Sequence, residues 1–261
     1  MSLPRKKTNI KVLKKTNQNR DFFFIFIMLL FLSSLLVSQK TFASSSAFNT
    51  AFTHEVGYLH QQQQANFSQA QNAFENKDYV FSARLLSALA EDGHVQSQYL
   101  LATQYDAGLG VEQNVRSSFY WYQKAAKAGI SIAQHNLAVA YAQGHGITAD
   151  LTKAITWWKR AAEAGNTDSQ YNLGIIYAAG RDSIKPDLVK ALKWWRMAAM
   201  NGDAVAQFNL GALYANGIGM SSRTCEASRW WKRSAKNGFA QAEMALAVLE
   251  TKRDFAICRD I

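Results

Sequence analysis

Residues 129–165 read GISIAQHNLAVAYAQGHGITADLTKAITWWKRAAEAG, and this stretch decides the fold. Its first half places Ala133, Leu137 and Tyr141 at intervals of four, which puts them on one face of a helix. Its second half gathers Ala154, Trp157, Trp158, Ala161 and Ala162 into another apolar stripe of helical spacing. Between the halves, Gly144-His145-Gly146-Ile147 supplies backbone that can reverse direction. The unit is therefore helix, loop, helix.

Moving outward, the same unit recurs. Trp121, Trp157, Trp194 and Trp230 lie 36, 37 and 36 residues apart, and Tyr105, Tyr141, Tyr177 and Tyr214 lie 36, 36 and 37 apart. Leu101, Leu137, Leu173 and Leu210 keep the same ladder, as do Gly93, Gly129, Gly165, Gly202 and Gly238, the last set where a helix C-terminus favours positive φ. Columns of unlike residue types that share one period define a repeat protein. The one extra residue falls between Tyr177 and Trp194, in a stretch from Gly180 to Pro186 that suits a loop. A lone helical hairpin cannot bury both of its stripes, whereas a stack can. The predicted fold class is all-α, a right-handed α-solenoid of stacked helix-loop-helix repeats of about 36 residues. Only two prolines, Pro4 and Pro186, interrupt the chain, in keeping with that class.

These units resemble the Sel-one-like repeat, a relative of the tetratricopeptide repeat with a longer loop between its helices. The residues that carry the resemblance are Ala206-Gln207-Phe208-Asn209-Leu210-Gly211 and Tyr214 before Gly217-Ile218-Gly219, with Lys153-Ala154, Trp157, Lys159, Ala161-Ala162 and Gly165 in the second helix. The third unit departs at Gly180-Arg181-Asp182-Ser183-Ile184-Lys185-Pro186, and the fourth at Arg223 and Glu226. The resemblance implies a scaffold or adaptor that assembles protein complexes, and for exported bacterial members a link to the envelope or a host.

The domains read as a signal peptide or N-terminal membrane anchor over 1–43, a polar linker or weak leading helix over 44–65, and a repeat domain over 66–261. Within the last come an opening unit (66–92) with a tight turn at Asn76-Lys77-Asp78-Tyr79, repeats at 93–128, 129–164, 165–201 and 202–237, and a closing helix at 239–250. Residues 22–37, FFFIFIMLLFLSSLLV, carry no charge and follow seven basic residues. Basic leader, apolar run and small residues are the layout of a signal peptide, with a cut after Ala43. At sixteen residues the run also approaches a span, so membrane anchorage through 22–37 is the alternative. Either way the repeats are expected outside the cytoplasm, periplasmic or secreted.

The net charge of +10 hints at nucleic acid until it is mapped. Eight of the 29 basic residues precede position 44, opposed there by Asp21 alone, so residues 44–261 carry 21 basic and 18 acidic groups, a net of +3. That is too weak a bias for a polyanion partner, and no nucleic acid is expected.

No chemistry-bearing motif stands out. His54, His60, His94, His135 and His145 are scattered without ligand spacing, so no metal is expected, and neither a nucleophile nor a base can be named. We expect no enzyme and no cofactor; an envelope hydrolase of the β-lactamase-like or cell-wall type and a structural spacer are the alternatives. The doublets Trp157-Trp158, Trp194-Trp195 and Trp230-Trp231 read as packing between repeats, and Lys159, Arg160, Arg196, Lys232 and Arg233 as a solvated outer face. Cys225 and Cys258, the only cysteines, are expected to form a disulfide at one end of the stack.

The partner is expected to be a protein or peptide, bound along the concave groove formed by the first helices. Positions 132, 136, 139 and 143 and their equivalents follow a helical track that avoids the Leu137 and Tyr141 stripe. The candidate contacts are Asn136, Val139, Gln143, Asn172, Ile175, Asn209 and Asn216, a lining of amides and apolar groups that suits an extended peptide or helix. A scaffold role for Asn136, Asn172 and Asn209, bonding locally to backbone, is the competing reading.

Overall fold

The computed structural model describes residues 42–217 and 224–251. The apolar run 22–37, the loop residues 218–223 and Cys258 lie outside the described residues. The chain divides into two compact units, 1–62 and 63–261.

Helix α1 spans Phe42–Glu75, and its residues from Gln63 onward belong to the second unit. Of the two expectations for residues 44–65, linker or leading helix, the structure has the helix. Alanines and glutamines are good helix formers and no proline interrupts them, so polar composition here marks an exposed helix, not a spacer. The second unit continues with α2 (Tyr79–Glu91), α3 (Val95–Ala107), α4 (Val115–Lys127), α5 (Ser131–Gln143) and α6 (Leu151–Glu163). It ends with α7 (Thr167–Ala179), α8 (Leu188–Met200), α9 (Ala204–Ala215), α10 (Thr224–Lys236) and α11 (Ala240–Glu250). Each first helix (α3, α5, α7, α9) packs on its own second helix (α4, α6, α8, α10), and each second helix packs on the first helix that follows. This is an all-α solenoid.

The columns seen in the sequence explain the stack. Leu101, Leu137, Leu173 and Leu210 are each fully buried. The second aromatic of each doublet, Trp158, Trp195 and Trp231, is buried, as is Tyr122 at the same position of the first repeat. Opposite Trp195 and Trp231 stand Gly174 and Gly211, where a Cβ would collide with the indole ring. The second tryptophan of each doublet is therefore a core residue.

A further column was not anticipated. Gln98, Gln134, Gln170 and Gln207 are buried, and each Nε2 donates to the carbonyl eight residues earlier, on Ala90, Ala126, Ala162 and Ala199, at 2.9–3.2 Å. Those carbonyls belong to the last turn of the preceding helix, where orphan acceptors need donors. The glycine that follows each such turn has φ between +91° and +99°. Start signals match the stop signals: Asn114, Asp150 and Asp187 cap α4, α6 and α8 through side-chain oxygens. Their own N–H groups donate to the carbonyls of Tyr105, Tyr141 and Tyr177, which closes each loop. In the third loop Arg181 and Ile184 exchange two backbone hydrogen bonds, a tight turn that absorbs the extra residue.

Candidate functional site: a polar recess between the first two repeats

Three of the expected contact residues, Asn136, Val139 and Gln143, line a single recess of about 230 Å³. They project from α5. The opposite wall comes from the first repeat: Asp106 at the end of α3, and Val115, Ser118, Phe119 and Tyr122 on α4. Ala140 forms the floor beside Val139, and His145 of the following loop stands at the rim.

The polar groups are linked. Ser118 Oγ donates to Asp106 Oδ1 at 3.3 Å, and His145 Nε2 lies 3.4 Å from the same oxygen. Ser118 is buried, whereas the Asp106 and His145 side chains are 43% and 49% exposed. Asn136 faces the buried Tyr122 across the recess. Burial, reinforced by the Asp106 charge, holds Tyr122 well above the usual phenol range, so it stays neutral and polar. Because Ser118 and His145 both address one carboxylate oxygen, the histidine does not face the serine. The order nucleophile, base, orienting acid that activates a serine is absent from this cluster. What remains is a half-exposed carboxylate fixed by a buried hydroxyl.

The other expected contacts lie on separate helices. Asn172 and Ile175 stand on α7 and Asn209 on α9, all half-buried or exposed, while Asn216 is the exposed residue that ends α9. Among the described residues, the Asn172 and Asn209 side chains make no hydrogen bond. Asp106, Ser118, Tyr122 and His145 were not anticipated.

On the second helices, Arg160 lies over its neighbour Trp157 at 4.5 Å and Arg233 over Trp230 at 4.7 Å. These cations are held on their own helices by ring faces. Among the described residues no cluster of three or more His, Cys, Asp or Glu could hold a metal ion. No described helix is long and apolar enough to cross a membrane.

Stacked helical hairpins, with a lined recess between the second helix of the first repeat and the first helix of the second, define a helical-repeat protein. The Sel1 repeat family model matches residues 95–130, 131–166, 167–203 and 204–239, more than half of the chain, and the chain belongs to that family. Two solved structures agree. A protective antigen present in uropathogenic Escherichia coli strains, displaying an SLR fold, is 34% identical with a TM-score of 0.66, over 72% of this chain and 41% of that one. A Sel1 repeat protein from Oxalobacter formigenes is 30% identical with a TM-score of 0.64, over 70% of this chain and 72% of that one. This chain therefore spans less than half the length of the first of these. Comparison with curated proteins gives no significant match. Sel1-repeat proteins are generally protein-interaction scaffolds.

Proposed function

We propose that this protein is an exported scaffold that holds an extended peptide or a helix of a protein partner along its first helices. The observation that carries the reading is the recess, where Asn136, Val139 and Gln143 meet residues of the preceding repeat. Amide donors and acceptors beside apolar walls are what an extended backbone needs from a groove. Asn172, Ile175, Asn209 and Asn216 continue the track on α7 and α9.

Export rests on the basic leader and apolar run of residues 1–43, and a retained anchor at 22–37 would keep the repeats at the outer side of the membrane. A Cys225–Cys258 disulfide belongs to this reading: Cys225 is the second residue of α10, and no described cysteine is free.

The test combines place and site. A reporter enzyme active only outside the cytoplasm, fused after Ile261, is expected to be active, and crosslinking in intact cells is expected to capture a protein whose affinity falls when Asn136, Asn172 and Asn209 are all replaced by Ala. An active cytoplasm-only reporter would remove export; unchanged affinity in a folded triple variant would remove the groove.

A further inference from the structure

The repeats provide their own control for which recess residues are scaffold and which are not. Position 106 is Asp where the other repeats have Ala142, Ala178 and Ala215, and position 118 is Ser where they have Ala154, Ala191 and Ala227. Position 122 is Tyr where they have tryptophan, and His145 stands where the first repeat has Leu109 and the third Arg181. Three departures toward polar groups, Asp106, Ser118 and Tyr122 on α3 and α4, converge on one recess, where His145 of the loop after α5 meets Asp106. Packing does not require them, because the other repeats stack without them.

The recess has one carboxylate and no lysine or arginine in its lining. Ser118 and His145 both hold Asp106 Oδ1, and among the described residues nothing holds Oδ2. The carboxylate is thus oriented in advance and still open on one side, the arrangement that a charge-assisted hydrogen bond from a cation completes. Phe119 and Val139 form apolar walls that match the methylene stem of a long basic side chain. At about 230 Å³ the space falls below the roughly 300–1,000 Å³ of small-molecule sites and suits a single side chain.

We propose that this recess is the pocket for one lysine or arginine side chain of the bound partner, its stem against Phe119 and Val139 and its cationic head on Asp106. This deepens the groove reading and rests on it. Asp106 is then the residue that selects among peptides, while Asn136 and Gln143 serve any backbone that lies there.

The test uses the full-length chain in mild detergent and a random dodecapeptide library displayed on phage. Selected peptides are expected to share a basic residue at one fixed position. A synthetic copy is expected to bind about tenfold more weakly when that residue is replaced by norleucine, and Asp106→Asn is expected to cost about the same, with no further loss when both changes are combined. Asp106→Ala, which installs the residue of the other three repeats, is a second variant with the same expected loss. Peptides that bind the groove without a fixed basic residue, or whose affinity ignores both Asp106 variants, would overturn the pocket and leave the groove standing. A library that yields no binding peptide would overturn the groove itself and the pocket with it.

Discussion

The junction between the first and second repeats and the junction between the second and third are made from the same columns and end differently. At both, a fully buried leucine, Leu137 or Leu173, anchors the first helix, and a buried glutamine, Gln134 or Gln170, ties it to the helix before. At the second junction Ile155 and Trp158 are buried and Ala154 meets no solvent. At the first, Phe119, Tyr122 and Ser118 hold those places, and the result is an open recess with Asp106 at its wall. In a stack where each repeat touches only its neighbours, stability sits in the columns that repeat. Departures from the columns are then free to carry selectivity.

The largest expected effect breaks the shared part of that comparison. Leu137→Ala and Leu173→Ala each remove a fully buried side chain and leave a cavity, and each is expected to cost about 3 kcal/mol. Urea unfolding followed by circular dichroism measures both. Equal losses mean that the two junctions share one scaffold; a loss at one junction alone would mean that they do not.

A smaller effect sharpens the part that differs. Asp106→Ala combined with Ser118→Ala removes both partners of the hydrogen bond at the recess and restores the alanines of the other repeats. Deleting donor and acceptor together leaves no buried group unsatisfied, and the half-exposed His145 exchanges its contact with Asp106 for water, so stability is expected to change by less than about 0.5 kcal/mol in either direction. A loss above roughly 2 kcal/mol would make the recess a structural element instead of a binding one.

How much of this was legible follows from where the signal lies. The solenoid was readable because Leu137, Tyr141, Trp157 and Gly165 belong to columns that no short motif would produce, and the period survives even the extra residue of the third loop. The glutamine column was equally periodic and still missed. Its meaning depends on the end of one helix meeting the start of the next, which helical spacing within one element does not show. The same limit applies to the recess. Asn136, Val139 and Gln143 lie on one helix and follow from its geometry, whereas Asp106, Ser118 and Tyr122 come from the neighbouring repeat. Comparing the repeats position by position could have found them, since each is an exception in an otherwise apolar column. Residues 44–65 left linker and leading helix both open, because a polar stretch without an apolar stripe carries no period that decides between them; α1 is helical there.

The last expected effect concerns a column exception that lies outside the recess. His135 occupies a position held by Tyr99, Tyr171 and Phe208 in the other repeats, and its Nδ1 lies 2.9 Å from the fully buried Ser169 Oγ of the next repeat. Burial holds its pKa below the usual imidazole value of 6.5, and the nearby Asp168 carboxylate opposes that shift only in part. The folded protein therefore binds this proton less readily than the unfolded chain does. Above about pH 6.5 the difference contributes full stability; as pH falls through 6.5 toward the lower folded value, the unfolded chain takes the proton first and stability drops. For one group the slope is at most about 1.4 kcal/mol per pH unit. His135→Tyr restores the aromatic of the column and removes the titrating ring. Urea unfolding of both proteins at pH 7.5 and pH 5.0 isolates the contribution, because the two chains differ at position 135 alone. Wild type is expected to lose more stability than the variant on acidification. A smaller loss in wild type would mean that Asp168 outweighs burial, and that this junction is held by a protonated histidine.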